Sequence, residues 1–174
     1  MLRQRAKQWL NQIAGYWAEE HPERAFERVR PLLLVSRLAF HMPAFQKRVL
    51  EPFALSPSDY SILGALRRAG TPRTLEPGDL YSALGCTPGG LTKMVTRLEA
   101  QGLVERFGDP KDGRRAHIRL TPKGAAVERK AGTEYSESAD RLLSKLSPKE
   151  LEQVSDALML LLDCFEEDDE RKIA

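Results

Sequence analysis

Five cations, Lys93, Arg97, Arg106, Arg114 and Arg115, fall within one short stretch of the chain. Ammonium and guanidinium groups gathered this closely are suited to binding anions, phosphate above all. Catalytic chemistry has no comparable group. His21, His41 and His117 are scattered, there is no Gly-x-Ser-x-Gly, and no carboxylate pair flanks a plausible pocket, so no nucleophile and base can be named. Cys86 and Cys164 stand far apart without Cys-x-x-Cys spacing, which argues against a disulfide scaffold or a zinc module. His117 has no partner at metal-ligand spacing. Gly85-Cys86-Thr87-Pro88-Gly89-Gly90-Leu91-Thr92 has the glycine spacing of a phosphate-binding loop. Leu91 stands where that loop needs Lys, and a helix rather than a strand precedes it, so it is not one. No enzyme activity, cofactor or metal is expected. The chemistry on offer is recognition.

Charge is distributed to match. The formal total over 174 residues is only +2, but Leu91 to Lys130 carries ten basic residues against five acidic. Ser147 to Ala174 carries three basic against nine acidic. Such asymmetry is what a localised anion-binding face produces. With 41% hydrophobic and 30% charged residues the chain reads as globular rather than disordered. Its longest apolar runs, such as Ala157 to Leu162, are too short to span a bilayer. The opening MLRQRAKQWLNQ lacks the apolar stretch of a secretory signal, so a cytoplasmic protein is expected.

The elements that must position these residues are punctuated by Ser-Pro and Thr-Pro, at Ser56, Thr87, Thr121 and Ser147. A hydroxyl caps an orphan backbone N–H and proline fills the first turn, where no donor is needed. Asp59 and Glu150 stand three residues after Ser56 and Ser147, where a carboxylate completes a capping box. Helices are predicted over 57–69, 77–84, 88–101, 122–145 and 148–167, with Gly70, Gly85 and Gly102 stopping the first three. Upstream, Leu2, Ala6, Trp9, Ile13 and Trp17 mark one face of a helix ended by His21-Pro22. A second upstream helix is predicted over 31–50, bent at Pro43. Leu103 to Phe107 and Ala116 to Leu120 read as two short strands. They are joined by Gly108 to Gly113, dense in turn formers, giving a β-hairpin with a long, basic tip.

A short helix, a tight turn and a longer helix over 77–101 make a helix-turn-helix. Its second helix presents Thr92, Lys93, Thr96 and Arg97 on the polar side, while Leu91, Met94, Val95 and Leu98 face inward. Thr87 caps it. Gly89 and Gly90 each weaken a helix by roughly 1 kcal/mol relative to Ala, a loss that is offset only if this end approaches another surface closely. The floor or backbone of a DNA groove is such a surface.

DPKDGRRAHIRLTPKG, with Asp112, Arg114, Leu120 and Thr121 in register, resembles the wing signature of the multiple-antibiotic-resistance regulator (MarR) family. GDLYSALGCTPGGLTKMVTRLEAQGLVERF is similar to the helix-turn-helix of that family, and LSPSDYSILGALRRAG to the helix before it. The resemblance implies a mainly α fold with a small β-hairpin wing. It divides the chain into N-terminal dimerisation helices (1–54), a winged helix-turn-helix DNA-binding domain (55–121) and C-terminal dimerisation helices (122–174). It further implies a homodimer on a palindromic double-stranded operator. The recognition helix would lie in the major groove, with Arg114 aimed at the minor groove, Asp112 ordering the wing and Arg115 contacting backbone or groove. The implied activity is transcriptional regulation, as a repressor released by a small aromatic acid or phenol. Trp17, His41, Phe45 and Tyr60 are the candidate effector pocket. The N-terminal helix with Trp17 resembles that of the urate-responsive branch, but that branch's acidic and arginine positions are Ser61 and Met94 here, so urate is not expected. Cys86 is assigned to core packing and Cys164 to the dimer interface. A winged helix used only for protein contact stays open as the alternative, since fold does not fix function.

Overall fold

The computed structural model describes residues 2–108 and 116–173. The chain runs α1 (Leu2–Glu20), α2 (Phe26–Leu50), a 3-10 turn (Glu51–Phe53), α3 (Pro57–Arg68), β1 (Thr74–Leu75), α4 (Pro77–Leu84) and α5 (Pro88–Ala100). It continues through β2 (Val104–Gly108), β3 (Ala116–Leu120), α6 (Pro122–Leu143) and α7 (Pro148–Ile173). The chain is therefore mainly α with a small antiparallel sheet, as its pattern predicts. The sheet has the order β1-β3-β2, with Val104 opposite Leu120 and Gly108 opposite Ala116.

The capping logic explains where the helices begin. Ser56 accepts from the Asp59 N–H and Asp59 accepts from the Ser56 N–H, a complete capping box under α3. Ser147 and Glu150 make the same exchange under α7. Thr87 and Thr121 each accept from the N–H three residues on. Gly85, at φ 57°, takes the left-handed conformation that ends α4 and turns the chain sharply into α5.

Three details depart from the sequence reading. α2 begins at Phe26, not Pro31, and runs unbroken through both Pro31 and Pro43. Its contacts with α1 and α6 outweigh the hydrogen bond each proline removes. α7 continues to Ile173, beyond Glu167, with Arg171 and Lys172 paired to Glu167 and Asp168 one turn back. The two-residue strand β1, which pairs Thr74 with Arg119 and Leu75 with Ile118, has no periodicity from which to be read.

Among the described residues, the buried apolar side chains lie between Val49 and Ala131, with Leu50, Ile62, Leu63, Leu66, Leu80, Leu91, Val95 and Leu98 at the centre. This core welds α3, α4, α5 and the sheet to the end of α2 and the start of α6. An aromatic joint extends it. Tyr60 of α3 stacks on Tyr135 of α6 at 5.8 Å, and Phe45 of α2 meets Tyr135 edge-on at 5.4 Å. Burial, then the nearby Glu128 carboxylate, pushes the Tyr60 phenol above its ordinary range. By contrast, every residue from Leu151 to Lys172 except Leu161 is exposed, including Leu158, Met159, Leu160, Leu162 and Phe165.

The start of α6 is pressed against the end of the α5–β2 turn. The Thr121 hydroxyl donates to the Gly102 and Leu103 carbonyls at 2.8 and 3.1 Å, and Lys123 Nζ to the Gln101 carbonyl at 2.7 Å. A methyl group on Gly124 would fall on the Leu103 carbonyl, with Leu120 Cδ1 at 2.9 Å. Glycine is needed here for backbone contact. Gly124→Ala should therefore destabilise by about 1–3 kcal/mol through overpacking, despite the better helix propensity of Ala. Thermal unfolding should show it as a loss of roughly 2–4 °C per kcal/mol. An unchanged melting temperature would mean that the two segments are not in contact.

Candidate nucleic-acid interface

The interface is built on α5. Leu91, Val95 and Leu98 are buried on one side, which leaves Thr92, Lys93, Thr96 and Arg97 exposed on the other. At its N-terminal end Thr87 caps through Gly90, and Thr92 Oγ donates back to the Pro88 carbonyl at 3.0 Å. Nothing lies within 4 Å of where a Gly89 side chain would start. No neighbour inside the chain requires glycine there, so its lack of a side chain leaves open space in front of the helix end.

Two arginines fix how α5 is carried. Arg97 Nη2 lies 2.6 Å from Asp59 Oδ1 and 3.1 Å from Ser56 Oγ. The Asp59 side chain is only 2% exposed and the Arg97 side chain 48% exposed. Arg97, which the sequence places on the polar side of the recognition helix, is also the strut between the start of α3 and α5. Arg106 of β2 makes the second tie, with Nη2 donating to the Thr92 carbonyl at 3.0 Å and to Thr96 Oγ at 2.9 Å. The Arg106 N–H donates to Glu99 Oε1 at 3.2 Å. Thr96 is thus already engaged by the hairpin. Neither tie was legible as a pair, because Asp59 to Arg97 and Thr96 to Arg106 follow no helical or strand spacing.

Lys93 is the candidate cation on α5 that has no carboxylate partner among the described residues. The hairpin leaves the lobe antiparallel, its strands braced by Arg119, which pairs with Glu105 at 2.8 Å and lies over the Phe107 ring at 4.8 Å. Phe107 also stacks on His117 at 5.4 Å. The expected wing-tip residues Asp112, Arg114 and Arg115 lie outside the described residues.

The four expected pocket residues do not converge in one chain. Trp17 packs with His21 and Phe26 at the α1–α2 turn. Phe45 and Tyr60 meet at Tyr135 near the other end of α2. From Phe26 to Phe45 a helix rises about 28 Å, which separates the two sites. His41 is exposed and touches Phe40 edge-on at 5.5 Å. Aromatic content marked candidate residues but carried no information on which end of a long helix each would face. Cys86 is partly buried against the core, as assigned, and Cys164 is exposed on α7.

A helix-turn-helix whose second helix is tied to a three-stranded antiparallel sheet defines a winged helix-turn-helix protein. Comparison with known proteins gives the family. The model of the MarR family matches residues 55–115. The regulator PecS of Dickeya dadantii is 28% identical over 141 residues, which are 81% of this chain and 85% of that protein. YcgE of Bacillus subtilis, a helix-turn-helix transcriptional regulator by name, is 30% identical over 138 residues, 79% of this chain and 88% of its own. Among solved structures, a cysteine mutant of MarR from E. coli in complex with operator DNA superposes with a TM-score of 0.67 at 25% identity. That match covers 80% of this chain and 99% of MarR. The chain belongs to the MarR family of transcription regulators. No helix among the described residues is long and apolar enough to cross a membrane.

The Asp59–Arg97 pair generates a direct test. Arg97→Ala should lower stability by about 1–3 kcal/mol, because Asp59 stays buried without its counter-charge while Arg97 itself gives up a half-solvated position. In a double-mutant cycle with Asp59→Asn, measured by denaturant unfolding, the two losses should fall short of additive by about 1 kcal/mol or more. Additive losses would show that the two side chains do not interact.

Proposed function

We propose that this protein is a sequence-specific, double-stranded-DNA-binding transcriptional regulator. In this reading it is a cytoplasmic homodimer without enzyme activity, and a repressor that leaves a palindromic operator when a small aromatic acid or phenol binds. The observation that carries the reading is α5, which is exposed along Thr92, Lys93 and Thr96, open in front of Gly89, and locked by Arg106 to the hairpin beside it. A recognition helix needs that combination, with small residues at the end that enters the groove and a rigid mount behind. Thr87, Gly89, Gly90, Thr92, Lys93, Thr96 and Arg97 form the major-groove set, and Asp112, Arg114 and Arg115 the wing set.

Binding by gel shift and footprinting upstream of its own gene tests the reading, with a reporter to give the sign of regulation. Lys93→Ala and Arg114→Ala should each weaken operator binding clearly. The effect of Lys93→Ala on stability should stay within about 0.5 kcal/mol, as for most exposed sites. The Arg114 loss should be larger on A·T-rich flanks, where a narrow minor groove concentrates negative potential, than on G·C-rich ones. Gly89→Ala should bind DNA less well while folding as well or better, by up to about 1 kcal/mol. Full operator affinity in all three folded variants would place the DNA contacts elsewhere, and no operator binding by the folded wild type would leave a protein-contact module as the function.

Homodimerisation is proposed through 1–54 and 122–174. The apolar side chains exposed on α7, with Leu32, Leu38, Phe40 and Met42 of α2, need a second body to leave water. Deleting residues 151–174 should yield monomer or aggregate by light scattering and abolish operator binding. A truncated protein that stays dimeric and binds DNA would overturn this.

A further inference from the structure

A second group of arginines lies apart from α5. Arg67, Arg73 and Arg129 line one small cleft of about 260 Å³ between α3, β1 and α6, with Pro122, Ala125 and Ala126. We propose that this cleft binds an oxyanion of the phosphate class.

The argument begins with charge. None of the lining residues is acidic. Arg67 is oriented by the Glu128 carboxylate through Nε and by the Ala125 carbonyl through one N–H of Nη2, which leaves the other Nη2 hydrogen and both on Nη1 as donors. Arg73 and Arg129 have no acidic partner among the described residues. The cleft therefore has two uncompensated positive charges beside a third guanidinium already fixed in place. Pro122 has no N–H, so the guanidinium forks supply the donors.

The backbone at Arg73 adds an independent observation. Its φ is +62°, in the left-handed region that side chains disfavour and that glycine or asparagine ordinarily occupies. Its carbonyl accepts the Leu120 N–H at 3.1 Å, which fixes the conformation to the edge of the sheet. Arg73 is also partly buried rather than extended into solvent. An arginine kept where glycine would be easier implies a use for the guanidinium. Guanidinium groups match tetrahedral oxyanions through paired, charge-assisted hydrogen bonds. The cleft is small for a drug-sized ligand and suited to a compact anion. That anion is either a free phosphate-type metabolite or a backbone phosphate of bound nucleic acid.

The test uses the full chain and inorganic phosphate, with ionic strength held constant by chloride. Calorimetry should show saturable phosphate binding to the wild type, together with a raised melting temperature. Arg73→Gly removes the guanidinium yet accepts the left-handed backbone, and Arg129→Gln keeps α6 intact. Each should weaken phosphate binding roughly tenfold or more, the worth of a charge-assisted hydrogen bond. A second arm follows binding to random-sequence duplex DNA against salt. If the cleft seats a backbone phosphate, each variant lowers the slope of log affinity against log salt by about 0.9 for every phosphate no longer neutralised. If it seats a free anion, the slope is unchanged while phosphate binding falls. The inference is overturned if phosphate binds no better than chloride and the slopes match. It is equally overturned if phosphate binding survives in both variants. The calorimetric arm contains no DNA, so its failure is separate from any failure of operator binding.

Discussion

A carboxylate withdrawn from water needs compensation, and Asp59 is compensated from three directions. Its two oxygens accept from the Ser56 N–H, the Ser56 hydroxyl and the Arg97 guanidinium. The first two bonds start α3; the third fixes where α5 crosses it. The orientation of the candidate reading helix is therefore set by electrostatics at its flank as well as by the apolar contacts of Leu91, Val95 and Leu98 beneath it. From this pair the ties pass outward. Arg106 joins α5 to β2, the sheet joins β2 to β3, and the closely packed Gly124 joins the hairpin base to α6. Among the described residues, α3, α5, the sheet and the start of α6 are thus tied into one packed body.

The remainder of the chain is organised differently. α1 and α2 pair as an antiparallel hairpin, with the Arg37 guanidinium over the Trp9 ring at 4.5 Å. α7 contributes nothing to the core. Its ion pairs, Arg171 with Glu167 and Lys172 with Asp168, are solvent-exposed and worth little to stability. The acidic end of the chain thus sits on an exposed helix, separate from the basic α5 and hairpin, which is why the near-zero total charge conceals a polarised molecule.

What could be read in the sequence was local. Ser56, Thr87, Thr121 and Ser147 each open a helix because a cap and a first-turn proline act within four residues, and Gly85 closes α4 for the same reason. The second hairpin strand is legible from the apolar–polar alternation of Ala116 to Leu120. Features set by tertiary contact were not. Arg97 reads as a free cation until Asp59, far away in sequence, is seen beside it, and Arg67, Arg73 and Arg129 share a cleft that no spacing announces. β1 has only two residues and exists because β3 offers an edge. Pro31 bounds the helix predicted over 31–50, yet packing along α2 carries the helix past it to Phe26. Trp17 and Phe45 looked like neighbours because both are aromatic, yet the rise of α2 holds them apart.

That same unbroken α2 has a mechanical consequence. Its last residues, Val49 and Leu50, are buried in the core, while its first turn lies beside Trp17 and Phe26, about 36 Å away along the axis. A rod clamped at one end converts angle into displacement. A tilt of about 5° at the clamped end moves the far end by roughly 3 Å, close to the spacing of two helical residues along the axis. Run in reverse, a shift of that size at the α1–α2 turn arrives at Val49 and Leu50 as a small rotation against a close-packed core, which yields in discrete steps rather than by continuous deformation.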